Sequence, residues 1–323
     1  MQKLKNKNFI KYLRLLIFFI IICYLVFKAD YNLDQIYEKI NSGFSSIAYI
    51  IILNIIFFNL IAVRMFLVFK LGLKKFLLYF NWSKIYFESL ALNIALSHTG
   101  TVYRAYELKK NNIQYRSYIS FFYTLFFSYL LLNMFFILVE LIIFLDGDPA
   151  LKIYCFLILA FIFIGFFILP KFLLYFSYLI KNFFSKKKFQ YIIFIQTEII
   201  SKIKKLIKDK NILIVLFIFG LLCHLLEITL FYFSFNIFLG ETSMSKIILL
   251  FGLSFILDRI PIIRDIPGFS EVLFATASIP FGFEFTYSLL TKFLLRFTSI
   301  LSVGFNYIIN LIISDFLYKK KKL

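Results

Sequence analysis

The stretch KIYFESLALNIALSHTGTVYRAYELKKNN, residues 84–112, decides how the chain is read. As a helix its apolar part, residues 85–97, rises only about 20 Å, short of the roughly 30 Å hydrocarbon core of a bilayer. Lys70, Lys74, Lys75 and Lys84 precede it, and Arg104, Lys109, Lys110 and Arg116 follow with Glu107 as the one acid among them. Lys and Arg collect in cytoplasmic loops, so both ends read as cytoplasmic and the segment as one that enters the membrane and returns. The other half of the chain carries a matching broken segment, residues 246–283. There two apolar arms, 247–257 and 269–279, flank the polar stretch 258–268.

The composition fits that reading. Hydrophobic residues make up 62% of the 323, aromatics 21%, and the mean hydropathy is +0.88. Long Phe-, Ile- and Leu-rich runs are too continuous for transmembrane strands, which alternate outward and inward residues. The chain is therefore expected to be an all-α polytopic membrane protein. The formal charge of +19 is gathered in short loops between apolar runs, which is a topology signal and points away from nucleic acid. Cys23, Cys155 and Cys223 each lie inside an apolar run without CxxC spacing and read as packing residues. No HExxH, P-loop or GxSxG occurs, and two His exclude a multi-His metal site, so no metal, cofactor or catalytic residue is expected. The DGD turn at 146–148 sits on a short outer loop, where nucleotide-sugar chemistry is not expected.

Charge bookkeeping gives the topology. Residues 1–14 carry five basic residues and no acid, which places the N-terminus inside. The run 12–27 reads as a retained first span. Spans 47–68, 118–145, 152–169, 211–238 and 285–313 follow, and Lys319–Lys322 put the C-terminus inside. Residues 171–210 hold ten Lys and two acids interleaved with apolar runs, and read as amphipathic helices on an anionic leaflet or as an ordinary basic cytoplasmic connection. The count closes if the second broken segment enters and leaves from the outer side. The result is six full spans plus two re-entrant hairpins in an inverted repeat, with halves 47–145 and 211–315 inside a single transmembrane domain, 1–323. Eight full spans is the alternative. Paired broken segments in two inverted halves point to a binding site near the midplane.

Irregular backbone at membrane depth persists only where protein buries it or water reaches it, so the breaks imply a polar cavity. At the first stand His98, Gly100, Tyr103 and Arg104; Gly100 permits a tight turn, and Arg104 suits a phosphate through paired hydrogen bonds. At the second stand Asp258, Arg259, Arg264, Asp265, Pro267, Gly268 and Glu271. Within the spans, Glu227 follows His224 by three residues, and Lys292 and Arg296 share a helix face at i, i+4 spacing. Charged groups at such depth mark a pathway or a structural pair. A Glu227–Arg296 pair is expected, with His224, Glu227 and Lys292 the candidates for a proton or ion-pair site. Arg64 and Glu140 lie near span ends and are expected to snorkel.

The run GTVYRAYELKK, residues 100–110, preceded by Leu92-Asn93, resembles the first signature of the lysylphosphatidylglycerol synthase transmembrane (flippase-like) family. The run IPGFSE, residues 266–271, followed by Gly282 and Arg296, resembles the second. The resemblance covers most of the chain from about residue 47. It differs in having Thr101 where the family often has Glu, and in a shorter, less glycine-rich second motif. The chain ends at Leu323 without a soluble aminoacyl-transfer domain, so synthase activity is not expected. The resemblance implies a multi-pass protein of a bacterial-type cytoplasmic (inner) membrane that binds or translocates an anionic phospholipid or a polyprenyl phosphate-linked lipid. Arg104, Arg259, Arg264 and Arg296 would hold the headgroup. A second copy of the chain and a separate lipid-modifying enzyme are compatible partners. Two other readings are a membrane-embedded glycosyltransferase using Asp258, Asp265 or Glu271, and a non-transporting assembly factor.

Overall fold

The structure, a computed structural model, describes residues 33–73, 76–95, 99–144, 197, 201, 208–240, 242–258 and 268–320. Every regular element among them is helical. In chain order they are α1 (Leu33–Ser42), α2 (Phe44–Gly72), α3 (Tyr79–Ala95), α4 (Thr99–Lys110), α5 (Tyr115–Phe144), α6 (Lys210–Leu239), α7 (Met244–Leu257), α8 (Phe269–Ser278) and α9 (Phe285–Lys320). A 3₁₀ turn, Ile279–Phe281, follows α8. The spans expected at 12–27 and 152–169, the DGD turn and nearly all of 171–210 lie outside the described residues.

Among the described residues, three helices are long and apolar enough to cross a membrane: Phe44–Gly72, Lys210–Leu239 and the Phe285–Ile313 part of α9. Their cause is plain in the sequence. Each is a long run of Ile, Leu and Phe with no proline and with apolar residues on every face, the pattern of a helix surrounded by lipid or protein. At 29 and 30 residues, α2 and α6 extend about 44 Å, which exceeds the bilayer core.

The broken segments form shorter helices. With 17 and 12 residues, α3 and α4 rise about 25 and 18 Å. With 14 and 10, α7 and α8 rise about 21 and 15 Å. The two members of each pair pack on one another. The stop signal of α4 is local. Asn112 takes a left-handed φ of 60°, its N–H bonds to the Lys109 carbonyl at 3.0 Å, and the Ile113 N–H reaches back to the Leu108 carbonyl at 3.0 Å. That is a Schellman closure, completed by apolar burial of Leu108 and Ile113 in one cluster. Lys109 and Lys110 in the last turn add a favourable interaction with the helix dipole.

The chain divides into two compact units, Met1–Asn54 with Glu227–Leu301, and Ile55–Leu226 with Ser302–Leu323. The first contains α1, α7 and α8. There Lys39 of α1 donates to the Phe238 carbonyl at the end of α6 and lies 3.7 Å from the centre of the Tyr287 ring. Asn54 of α2 donates to Thr298 Oγ1 at 3.2 Å and accepts from Ser299 Oγ at 3.3 Å, both on α9.

The second unit contains α3, α4 and α5. Its core is an aromatic cluster around Phe69, Trp82, Phe87, Tyr118 and Phe121, all essentially buried. Trp82 Nε1 donates to the Ala62 carbonyl at 2.9 Å, which ties α3 to α2. Asn59 donates to Asn306 Oδ1 at 2.6 Å, and Ser83 donates to Asn310 Oδ1 at 2.7 Å. Polar residues spaced along apolar helices thus pair side chain to side chain, which satisfies groups that lipid cannot.

Candidate functional site

In the second unit, α3 and α4 form an antiparallel hairpin whose pairings run in strict register. Gly100 N–H donates to Asn93 Oδ1 at 2.8 Å, Thr99 Oγ1 to the Leu92 carbonyl at 2.9 Å, Tyr103 Oη to Glu88 Oε2, and Arg104 to Ser89. One turn forward on α4 is one turn back on α3: residues 99 and 100 meet 92 and 93, and residues 103 and 104 meet 88 and 89. Gly100 is what allows this closeness. A Cβ there would overlap the Ser89 carbonyl oxygen and lie 2.8 Å from the Asn93 side-chain amide carbon.

Arg104 is 3% exposed. Its Nε and Nη2 both donate to Ser89 Oγ, at 2.9 and 2.5 Å, and the guanidinium lies 4.9 Å from the Tyr86 ring centre and 5.8 Å from that of Trp82. Ser89 Oγ also donates to the Tyr86 carbonyl at 2.6 Å, so its capacity is filled. A guanidinium has five N–H groups. No Asp or Glu among the described residues pairs with this one. At the far end of α4, Glu107 accepts from Lys110 Nζ at 2.7 Å, which raises the Lys110 pKa.

Arg64 corrects an expectation. Rather than snorkelling from a span end, it is 4% exposed, and its Nε and Nη1 are buried without a hydrogen-bond acceptor among the described residues. The reason is length: α2 runs on to Gly72, eight residues past Arg64 or about 12 Å along the axis. The guanidinium therefore lies among packed helices, 4.5 Å from the Tyr129 ring centre.

His224 lies on α6, fully buried, and each ring nitrogen has a partner on α5: Nδ1 is 2.9 Å from Asn133 Oδ1, and Nε2 is 3.1 Å from Glu140 Oε2. Asn133 turns its amide nitrogen to the Tyr129 carbonyl at 2.9 Å. Its oxygen therefore accepts from Nδ1–H, which leaves Nε2 facing the Glu140 carboxyl. Glu140, like Arg64, is held by protein where snorkelling was expected.

In the first unit Lys292 and Arg296 of α9 are occupied by carboxylates of the second broken segment. Lys292 Nζ lies 2.6 Å from Asp258 Oδ2 and also donates to Ser254 Oγ. Arg296 Nη1 donates to Glu271 Oε1, while Glu271 Oε2 accepts from Ser270 Oγ at 3.0 Å. Arg296 thus takes Glu271 as its partner in place of the expected Glu227. Glu271 suits the position because it stands in the first turn of α8, where the helix dipole favours a negative charge. Gly268, with φ of 82°, supplies the left-handed turn into α8.

His98, Arg259, Arg264, Asp265 and Pro267 lie outside the described residues. Gly100, Tyr103 and Arg104 come together in the second unit, as do Gly268, Glu271, Arg296 and Lys292 in the first. Sequence reasoning missed Ser89 and Asn133, single polar residues that carry no motif, and named Asn93 only as part of a family signature. No group of three or more His, Cys, Asp or Glu with metal-holding geometry occurs among the described residues. In comparisons with family models, curated proteins and solved structures, nothing matches the chain.

Proposed function

We propose that this is a multi-pass protein of a bacterial-type cytoplasmic membrane that binds, and moves across the bilayer, a lipid with an anionic headgroup. In this reading α3–α4 and α7–α8 are the two re-entrant hairpins, set among six full spans in an inverted repeat with both termini cytoplasmic. The observation that carries it is Arg104, a buried guanidinium on a helix too short to span. It is held by one serine hydroxyl and two aromatic faces. A buried cation without a carboxylate is costly, and an anionic ligand offsets that cost. The acyl chains remain in lipid while the headgroup follows the polar hairpins.

The resemblance to the flippase-like family supports the same reading. Of the acids a glycosyltransferase would use, Asp258 and Glu271 are both ion-paired, and Asp265 lies outside the described residues. The test is purification in mild detergent, identification of retained lipids by mass spectrometry, and a flipping assay in proteoliposomes with wild type, Arg104→Ala and Arg264→Ala. An anionic lipid enriched in wild type and lost in both variants, together with slowed flipping, is the expected result. Unchanged lipid retention and flipping in both variants would sink the reading.

A further inference from the structure

We infer that His224 and Glu140 form a proton-binding site, in which one exchangeable proton bridges the imidazole and the carboxyl and its release unmakes a link between α5 and α6. The site is separate from the Arg104 hairpin and does not depend on the lipid reading.

Hydrogens can be counted around the ring. Asn133 donates its Nδ2 to the Tyr129 carbonyl at 2.9 Å, so the atom it presents to His224 Nδ1, 2.9 Å away, is its oxygen, which only accepts. Nδ1 must therefore carry a hydrogen. A neutral imidazole has one N–H, which leaves Nε2 with a lone pair directed at Glu140 Oε2, 3.1 Å away. An ionised carboxylate is an acceptor only. Two acceptors at that distance repel, so the contact needs one more proton. On Nε2 it makes an imidazolium beside a carboxylate; on Oε2 it makes an acid that donates to Nε2. Both forms hold the same proton and carry the same net charge.

The surroundings let that proton come and go. The His224 side chain is fully buried, with the Phe136 ring centre 5.1 Å from the imidazole, whereas the Glu140 side chain is 18% exposed and reaches the surface. Release breaks one N–H or O–H bond, sends the proton out past Glu140 and leaves one negative charge on the pair. The carboxylate then turns from the Nε2 lone pair to water, and α5 loses that bond to α6. Other ionisable groups on the surrounding helices are Cys223 and Glu227 on α6, Tyr129 on α5, Tyr86 on α3, and Arg64 of α2, whose guanidinium lies 4.5 Å from the Tyr129 ring centre. Ionisable groups set this deep in apolar helices mark functional positions by default.

The full chain carrying His98→Gln, which leaves His224 as its one histidine, would be labelled at histidine nitrogen and placed in phosphatidylcholine nanodiscs. At about pH 8, separate imidazole and carboxyl side chains in water hold no proton between them. Nitrogen NMR and carboxyl-region infrared spectra are expected to find one here. The signature is either both ring nitrogens protonated, or Nδ1 alone protonated with an acid band that Glu140→Gln removes. In Glu140→Gln, whose amide N–H takes the proton's place, His224 is expected to be neutral with its hydrogen on Nδ1. At about pH 10, well above the ordinary range of both side chains, the parent chain is expected to lose the proton, and Nε2 to shift to the position of a nitrogen without a donor. Should Glu140→Gln fail to fold, Glu140→Asp, a shorter acid, is expected to lose the proton at a lower pH than the parent.

A neutral Nδ1–H ring beside an ionised Glu140 at about pH 8 overturns the inference, as does a neutral Nε2–H tautomer. A proton still in place at about pH 10 makes the pair a fixed structural link and also overturns it.

Discussion

Arg104 directs both its Nε and its Nη2 at a single hydroxyl, Ser89 Oγ, across the α3–α4 hairpin, at 2.9 and 2.5 Å. The arrangement fixes the side chain on one edge with no carboxylate among the described residues to neutralise it, as the proposed lipid role requires. Ser89→Ala should therefore leave the charge and remove its positioning. The loss of an acceptor for two buried donors costs about 1–3 kcal/mol, read as a lower thermal midpoint in detergent together with weaker retention of anionic lipid. Ser89→Thr keeps the hydroxyl and should restore part of both.

Gly100 lies where a side chain has no room. Gly100→Ala puts a methyl group onto the Ser89 carbonyl, so the two helices must separate. Overpacking of this kind costs about 1–3 kcal/mol, and separation moves Arg104 away from Ser89. Thermal unfolding and the Trp82 emission maximum check the two consequences independently; an unchanged emission maximum would argue against the separation.

The two ion pairs of the first unit should respond in opposite senses, because different partners are buried. The Glu271 side chain is 1% exposed and that of Arg296 42%, whereas the Lys292 side chain is 9% exposed and that of Asp258 40%. Removing Arg296 strands a buried carboxylate, so Arg296→Gln should destabilise more than Glu271→Gln. Removing Asp258 strands a buried ammonium, so Asp258→Asn should destabilise more than Lys292→Met. Breaking a fully buried pair costs about 3–5 kcal/mol; with one exposed partner in each, about 1–3 kcal/mol is expected. Melting curves of the four single variants, closed by the two double variants, test the ordering.

His224 depends on Asn133 for its Nδ1–H acceptor. Asn133→Leu should cost about 1–3 kcal/mol through the unsatisfied buried donor, while Glu140→Gln, which can still hydrogen-bond Nε2, should cost less. Nitrogen NMR of labelled histidine is expected to show Nδ1 protonated in wild type. An Nε2–H neutral tautomer would contradict the assignment.

The helices themselves were legible in the sequence. The apolar runs read at 211–238 and 118–145 became helices at 210–239 and 115–144, and the broken segments became short helices, with Gly268 in the left-handed entry to α8 and Gly100 in the first turn of α4 rather than in a tight turn. Run length and the spacing of glycine and charge report directly on what a backbone can do in lipid, so these features need no tertiary knowledge. Partner choice was not legible in this way. Glu227 and Arg296 looked like a pair because both are charged and lie in spans, yet Arg296 meets Glu271, on a segment whose packing no local signal encodes.

Arg64 shows the same division. The sequence alone determined that an arginine sits in a helix of apolar residues, and that such a chain gathers its charge at helix ends and at two broken segments. Whether that arginine reaches water or lies among aromatic rings depends on how far α2 continues and which helices pack on it. Only the tertiary structure decided this, because burial and charge compensation belong to several helices at once, whereas helix formation belongs to each run by itself.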